Sequence, residues 1–167
     1  MIRAGRHLAV VSLALLLAAC GWQLRGTGGA GFDGVSVAVD GAVGNRILDQ
    51  VRSQLRDLGA EVETSIADAR LVVNILEASS RRRTVATGSD GFAREYELIY
   101  HMRFSLSAGG RARENPPIIE PQTVRATASY AASPQALQGQ EAEEQVLQEG
   151  LAADVIQQML ARIGRQL

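Results

Sequence analysis

Between Phe92 and Leu106 the chain alternates apolar and polar residues more strictly than anywhere else. Phe92, Tyr96, Leu98, Tyr100, Met102, Phe104 and Leu106 share one side, with Arg94 the sole polar member, while Glu95, Glu97, His101, Arg103 and Ser105 occupy the other. A period of two marks a strand that is dry on one face and wet on the other. A strand of this length cannot leave its apolar side in water. It commits the chain to a sheet with one face covered by other elements and one face polar.

The cover is legible in two amphipathic helices. From Val43 to Leu58 the apolar residues fall at positions 43, 47, 48, 51, 55 and 58, and Gly59 stands where a left-handed cap closes a helix. A longer helix is predicted from about Gln140 to Arg165, opened by Ser133-Pro134 and striped by Val146, Leu147, Leu151, Val155, Ile156, Met159, Leu160 and Ile163. Glu141, Glu143 and Glu144 near its start and Arg162 and Arg165 near its end complement the helix dipole. Its polar side lacks the bases of a membrane-surface helix, so the stripe reads as core.

The remaining strands are weaker signals. Val35, Val37 and Val39 alternate in a short strand; residues 71–76 are β-rich and apolar on both sides; residues 81–87 stay extended up to a Gly88-Ser89-Asp90-Gly91 turn. After the polar loop 108–117 a strand runs from Ile119 to Tyr130, with Val124, Ala126, Ala128 and Tyr130 on one side. The order strand, helix, three longer strands, helix predicts an α/β (α+β) two-layer sandwich. In it, two helices pack on one face of a mixed, mainly antiparallel four-stranded sheet spanning residues 35–167.

The first 19 residues stand outside that domain. Arg3 and Arg6 precede a ten-residue apolar stretch, 8–17, and small Ala18 and Ala19 come before Cys20, the architecture of a secretory signal too short to span a bilayer. Leu17-Ala18-Ala19-Cys20 resembles the lipobox of bacterial lipoproteins, which implies cleavage before Cys20 and attachment of diacylglycerol and an N-acyl chain there. Chains worth about 0.8 kcal/mol per buried methylene make such an anchor permanent. Gly21, in place of a retention-favouring aspartate, implies by the same resemblance the outer membrane, with the domain facing the periplasm. Residues 20–34, glycine-rich from Gly26 onward, are expected to form the lipidated N-terminus and a flexible tether.

Composition removes several function classes. The 17 basic residues, all arginine, nearly balance 18 acids for a net charge of −1, which is unlike a nucleic-acid-binding protein. One cysteine and two histidines exclude a disulfide and leave little for zinc, and signal cleavage leaves His101 alone. The glycines at 26–34 have no preceding strand and no following Gly-Lys-Ser/Thr, so they are no phosphate loop. There is no Gly-x-Ser-x-Gly elbow to place a nucleophile for His101. No enzyme and no cofactor beyond the covalent lipid on Cys20 is expected.

Cys20-Gly21-Trp22-Gln23-Leu24-Arg25 resembles the mature N-terminus of the LptE family, the lipoproteins of the outer-membrane lipopolysaccharide translocon. The resemblance continues through the strand-helix unit at 35–58, Glu95-Tyr96-Glu97-Leu98, the strand bearing Arg125, Ser133-Pro134-Gln135 and the acidic start of the last helix. It implies a non-enzymatic subunit that plugs the LptD β-barrel, assists its assembly and contacts lipopolysaccharide in transit. Arg81, Arg82, Arg83 and Arg94 flank the turn and are the local concentration of positive charge that could meet lipid A phosphates. Arg83 and Arg94, one on each arm, are placed to converge on one phosphate. Family members can carry a base at the tip itself, where Ser89 and Asp90 stand here. The same arginines also read as a charged edge that deters sheet-to-sheet pairing, and Arg103 and Arg125 as partners of Glu95, Glu97 or Glu120. The alternative at the level of function is an accessory lipoprotein of another lipid or solute transport system.

Overall fold

The structure, a computed structural model, describes residues 31–110, 116–132 and 137–167. Strand β1 (Ser36–Gly41) leads into helix α1 (Asn45–Asp57) and a short β2 (Glu61–Glu63). Then come β3 (Leu71–Thr87), β4 (Ala93–Ala108), β5 (Ile119–Ala131) and helix α2 (Leu137–Gly164). The sheet order is β2-β1-β3-β4-β5, with β1 parallel to both β2 and β3 and the β3-β4 and β4-β5 pairs antiparallel. Two helices on one sheet face is the predicted plan, but the sheet has five strands, not four, and its ladders divide evenly between parallel and antiparallel. The added strand is β2. Its three residues are too few to show a periodicity; backbone pairing sets it beside β1, as in the Glu61 N–H to Val35 carbonyl bond of 2.9 Å, while Val62 packs against the core and the Ser36 hydroxyl donates to Glu63 at 3.4 Å.

Gly59 ends α1 as its position predicts. With φ at +84°, it donates to Arg56 O at 2.9 Å while Ala60 N–H reaches Leu55 O at 3.0 Å, the paired bonds of a Schellman cap. Leu55 and Ala60, brought together by that cap, are both core residues. The chain thus reverses abruptly enough for β2 to lie beside β1.

The core sits between the sheet and both helices. Val37, Val39, Val51, Leu55, Val73, Ile75, Leu98, Met102, Phe104, Leu106, Val155, Ile156, Met159 and Ile163 belong to it. Phe32 does too, and is fully buried, so the packed region begins before Val35 and takes in part of the segment expected to be tether. Two residues of the predicted apolar faces lie elsewhere. Phe92 is 61% exposed, because the cluster under the helices ends at Tyr96 and Phe92 stands at the turn. Val146 is 69% exposed, because Leu147 carries the stripe and its neighbour is rotated about 100° off that face.

The opposite sheet face is not uniformly wet. At the β1 end, Ala38, Ala69 and Val72 are buried with Ile66 packed on them, so the loop 64–70 covers that part. Beyond it β3, β4 and β5 present their polar side uncovered. The Cys20 anchor and the Ser133-Pro134 helix start lie outside the described residues.

Candidate functional site

Register determines which arginines share a surface. In β3 and β4 the pairs Leu71↔Ala108, Val73↔Leu106 and Ile75↔Phe104 face the helices, and a bulge between Ile75 and Glu77 lets Ala78↔Met102, Ser80↔Tyr100 and Arg82↔Leu98 continue that side. Glu77↔Arg103, Ser79↔His101, Arg81 opposite Ile99 and Arg83↔Glu97 therefore share the open side, and β5 extends these rows with Thr123, Arg125, Thr127 and Ser129. The four arginines grouped by sequence do not form one patch.

Arg82 points toward α2. Its Nη1 lies 2.8 Å from Glu144 Oε2, to which the Tyr130 hydroxyl donates at 2.6 Å. The guanidinium also sits 4.6 Å from the Tyr96 ring centroid, and the Tyr96 and Tyr130 rings are 5.6 Å apart. Burial and the Glu144 carboxylate raise the Tyr130 phenol above its ordinary range. Ser80, two residues earlier on the same side, accepts a hydrogen bond from Gln148. These contacts fasten the long hairpin to the helix.

Arg94 and Arg83 are each engaged locally. Arg94 Nη2 is 2.5 Å from Asp90 Oδ2, whose other oxygen accepts the Phe92 N–H at 3.2 Å, so this pair closes the turn. Arg83 Nε is 2.5 Å from Glu97 Oε2 directly across the strands. The predicted convergence of Arg83 and Arg94 on one group is therefore replaced by two separate ion pairs. Glu97 does find an arginine, as expected, but that arginine is Arg83.

The open face of β3, β4 and β5 holds a concavity of about 640 Å³ lined by Arg81, Arg83, Glu97, Ile99, His101, Thr123, Arg125 and Thr127. Arg81 and Arg125 have no ion-pair partner among the described residues. His101 Nε2 lies 2.8 Å from Glu77 Oε1 and 3.1 Å from Ser79 Oγ. That contact holds the Glu77 carboxyl below its usual range. A serine and an acid meeting the same ring nitrogen cannot form a relay, which needs one on each nitrogen. Among the described residues no three metal-ligating side chains gather, and no helix is long and apolar enough to cross a membrane.

The family model "LptE: Lipopolysaccharide-assembly" matches residues 31–163. The chain belongs to the LptE family. Its members are non-enzymatic lipopolysaccharide-assembly lipoproteins. Among solved structures, lipoprotein B from Nitrosomonas europaea is similar at 20% identity, covering 86% of this chain and 90% of that one, with a TM-score of 0.67. The rare lipoprotein B from Shewanella oneidensis matches at 24% identity over 76% of this chain and 94% of its own, with a TM-score of 0.58. A minor lipoprotein from Acinetobacter baumannii matches at 23% identity over 78% and 87%, with a TM-score of 0.55. These likenesses show that this LptE-family chain shares their fold. No curated protein matches it.

Sequence reasoning placed Arg81 and Arg83 on the hairpin but missed Arg125 as part of the same surface. The signal was present: Thr123, Arg125, Thr127 and Ser129 alternate with the apolar residues of β5. What it lacked was the register that sets β5 beside β4.

Proposed function

We propose that this envelope lipoprotein is held in the outer membrane by diacylglycerol and an N-acyl chain on Cys20. There it works with the β-barrel LptD to deliver lipopolysaccharide to the outer leaflet, as barrel plug, assembly factor and lipopolysaccharide-contacting subunit. Membership of the LptE family is the observation that carries the reading. Two features of the fold support it. A sheet whose helices cover one side and whose other side is polar can occupy the water-filled lumen of a barrel without exposing a hydrophobic patch. Arginine forks also suit phosphate, donating to two of its oxygens at once. Arg81 and Arg83 on the open face, with Arg94 at the tip, are the hairpin groups that can meet lipid A phosphates. Arg82, engaged by Glu144, serves to hold the hairpin on α2.

Purification of the affinity-tagged full chain from outer-membrane extract in mild detergent, with identification of what is bound, tests the partnership. Recovery of a lipopolysaccharide-exporting β-barrel in near-equal amount is expected. Recovery of the chain alone, or with subunits of another transport system, overturns it.

A further inference from the structure

We propose that Arg81 and Arg125 form an anion cradle across the open face, astride Ile99, that takes a phosphomonoester or pyrophosphate group. The cradle rests on the function proposed above for the source of its anion, a phosphorylated glycolipid headgroup.

The placement follows from register. Arg81 pairs with Ile99 and Thr127 in one row across β3, β4 and β5, while Ser79, His101 and Arg125 form the next. Strands about 4.8 Å apart and neighbouring same-face residues about 6.7 Å apart put the two arginine Cα atoms about 12 Å from each other on a diagonal. Two guanidinium groups extended inward from such positions meet over Ile99. Ile99 itself is only 9% exposed although it faces the open side, so the residues lining the same concavity already lean over it. Arginine stems cover apolar surface in this way while keeping their charge in water.

The charges around this point are unbalanced in one direction. Glu97 is taken by Arg83 and Glu77 by His101, and Arg103 stands opposite Glu77. Arg81 and Arg125 are left as the exposed cations of the concavity without an ion-paired carboxylate among the described residues. Thr123 and Thr127 flank Arg125 on the same side of β5 and add two hydroxyl donors. An anion with several oxygens, able to accept two forks and two hydroxyls, matches this set better than a single carboxylate. The hairpin tip is a poorer anion site, because Asp90 already occupies Arg94.

The test titrates the full chain, purified in detergent, by calorimetry with lipopolysaccharide, with the same lipopolysaccharide after phosphatase treatment, and with inorganic pyrophosphate. Wild type is compared with Arg81→Gln, Arg125→Gln and the control Arg56→Gln on the exposed side of α1. All three positions are exposed, so the variants keep the fold. Loss of one charge-assisted contact predicts at least about tenfold weaker binding of the phosphorylated ligand in Arg81→Gln and in Arg125→Gln, with Arg56→Gln unchanged. Phosphatase treatment should weaken wild-type binding to a similar degree. If lipopolysaccharide binds and neither Arg81→Gln nor Arg125→Gln weakens it, the cradle is wrong while the proposed function stands. If pyrophosphate binding depends on both arginines and lipopolysaccharide does not bind, the cradle stands and its glycolipid source is wrong. Binding of neither probe by wild type overturns the cradle.

Discussion

Arg82 and Arg83 are consecutive residues that leave the sheet on opposite sides, Arg82 to Glu144 of α2 at 2.8 Å and Arg83 to Glu97 across the open face at 2.5 Å. One side chain ties the hairpin to the helix layer and the next belongs to the surface available for contact. The alternation of a strand turns a run of like charges into two structures with different work.

That division predicts unequal costs for the two residues. Arg82→Ala removes a partly shielded ion pair and a guanidinium stacked on Tyr96, and should lower stability by about 1 kcal/mol after allowing for the exposure of the pair. Arg83→Ala should cost clearly less, since its guanidinium is exposed and its ion pair is screened by solvent. Thermal denaturation of both variants measures the difference, and equal melting temperatures would contradict the assignment of faces.

Phe32 offers a sharper test of where the domain begins. A fully buried aromatic in the main cluster predicts a loss of about 3–5 kcal/mol in Phe32→Ala. Denaturant unfolding would show it as a clear drop in midpoint. Wild-type unfolding would mean that residues 31–34 are tether after all.

Alkaline stability should depend on Tyr100. Burial raises its phenol above the ordinary value, so the folded state keeps a proton that the unfolded chain releases near pH 10. The resulting stabilisation is complete below about pH 10 and disappears as pH climbs through the folded-state value. Tyr100→Phe should flatten the decline between about pH 9 and about pH 11, leaving the part due to Tyr130, which is raised as well. Unfolding midpoints across that range provide the measurement.

Cys20→Ala should abolish incorporation of labelled fatty acid and leave the signal uncleaved by the lipoprotein route, because the thiol is the acylated group. Continued labelling would disprove the lipobox.

The parts of this fold that were legible in the sequence are those written in side-chain periodicity. β4, the stripe of α2 from Leu147 onward and the glycine cap of α1 all follow from spacing. β2 was not legible, because Glu61–Glu63 is a strand by virtue of where the Schellman turn delivers its backbone, and its single apolar residue, Val62, is too little to make a periodic signal. Phe32 was hidden among glycines, whose flexibility in isolation says nothing about one aromatic anchor between them. The candidate site was half legible. Arg81 and Arg83 share a period-two face, yet grouping them with Arg82 and Arg94 overlooks both strand alternation and the short range at which Asp90 captures Arg94. Arg125 became part of the surface only through the antiparallel register His101↔Arg125, a long-range fact that no local pattern encodes.

In the proposed function this LptE-family chain serves the arrival of lipopolysaccharide at the cell surface. Depleting it in its native cell, while following pulse-labelled lipopolysaccharide into the outer leaflet by surface-specific modification, tests that most directly. Newly made lipopolysaccharide should stop reaching the surface and accumulate behind the outer membrane, with recovery on re-expression. Unchanged arrival at the surface in depleted cells would contradict it.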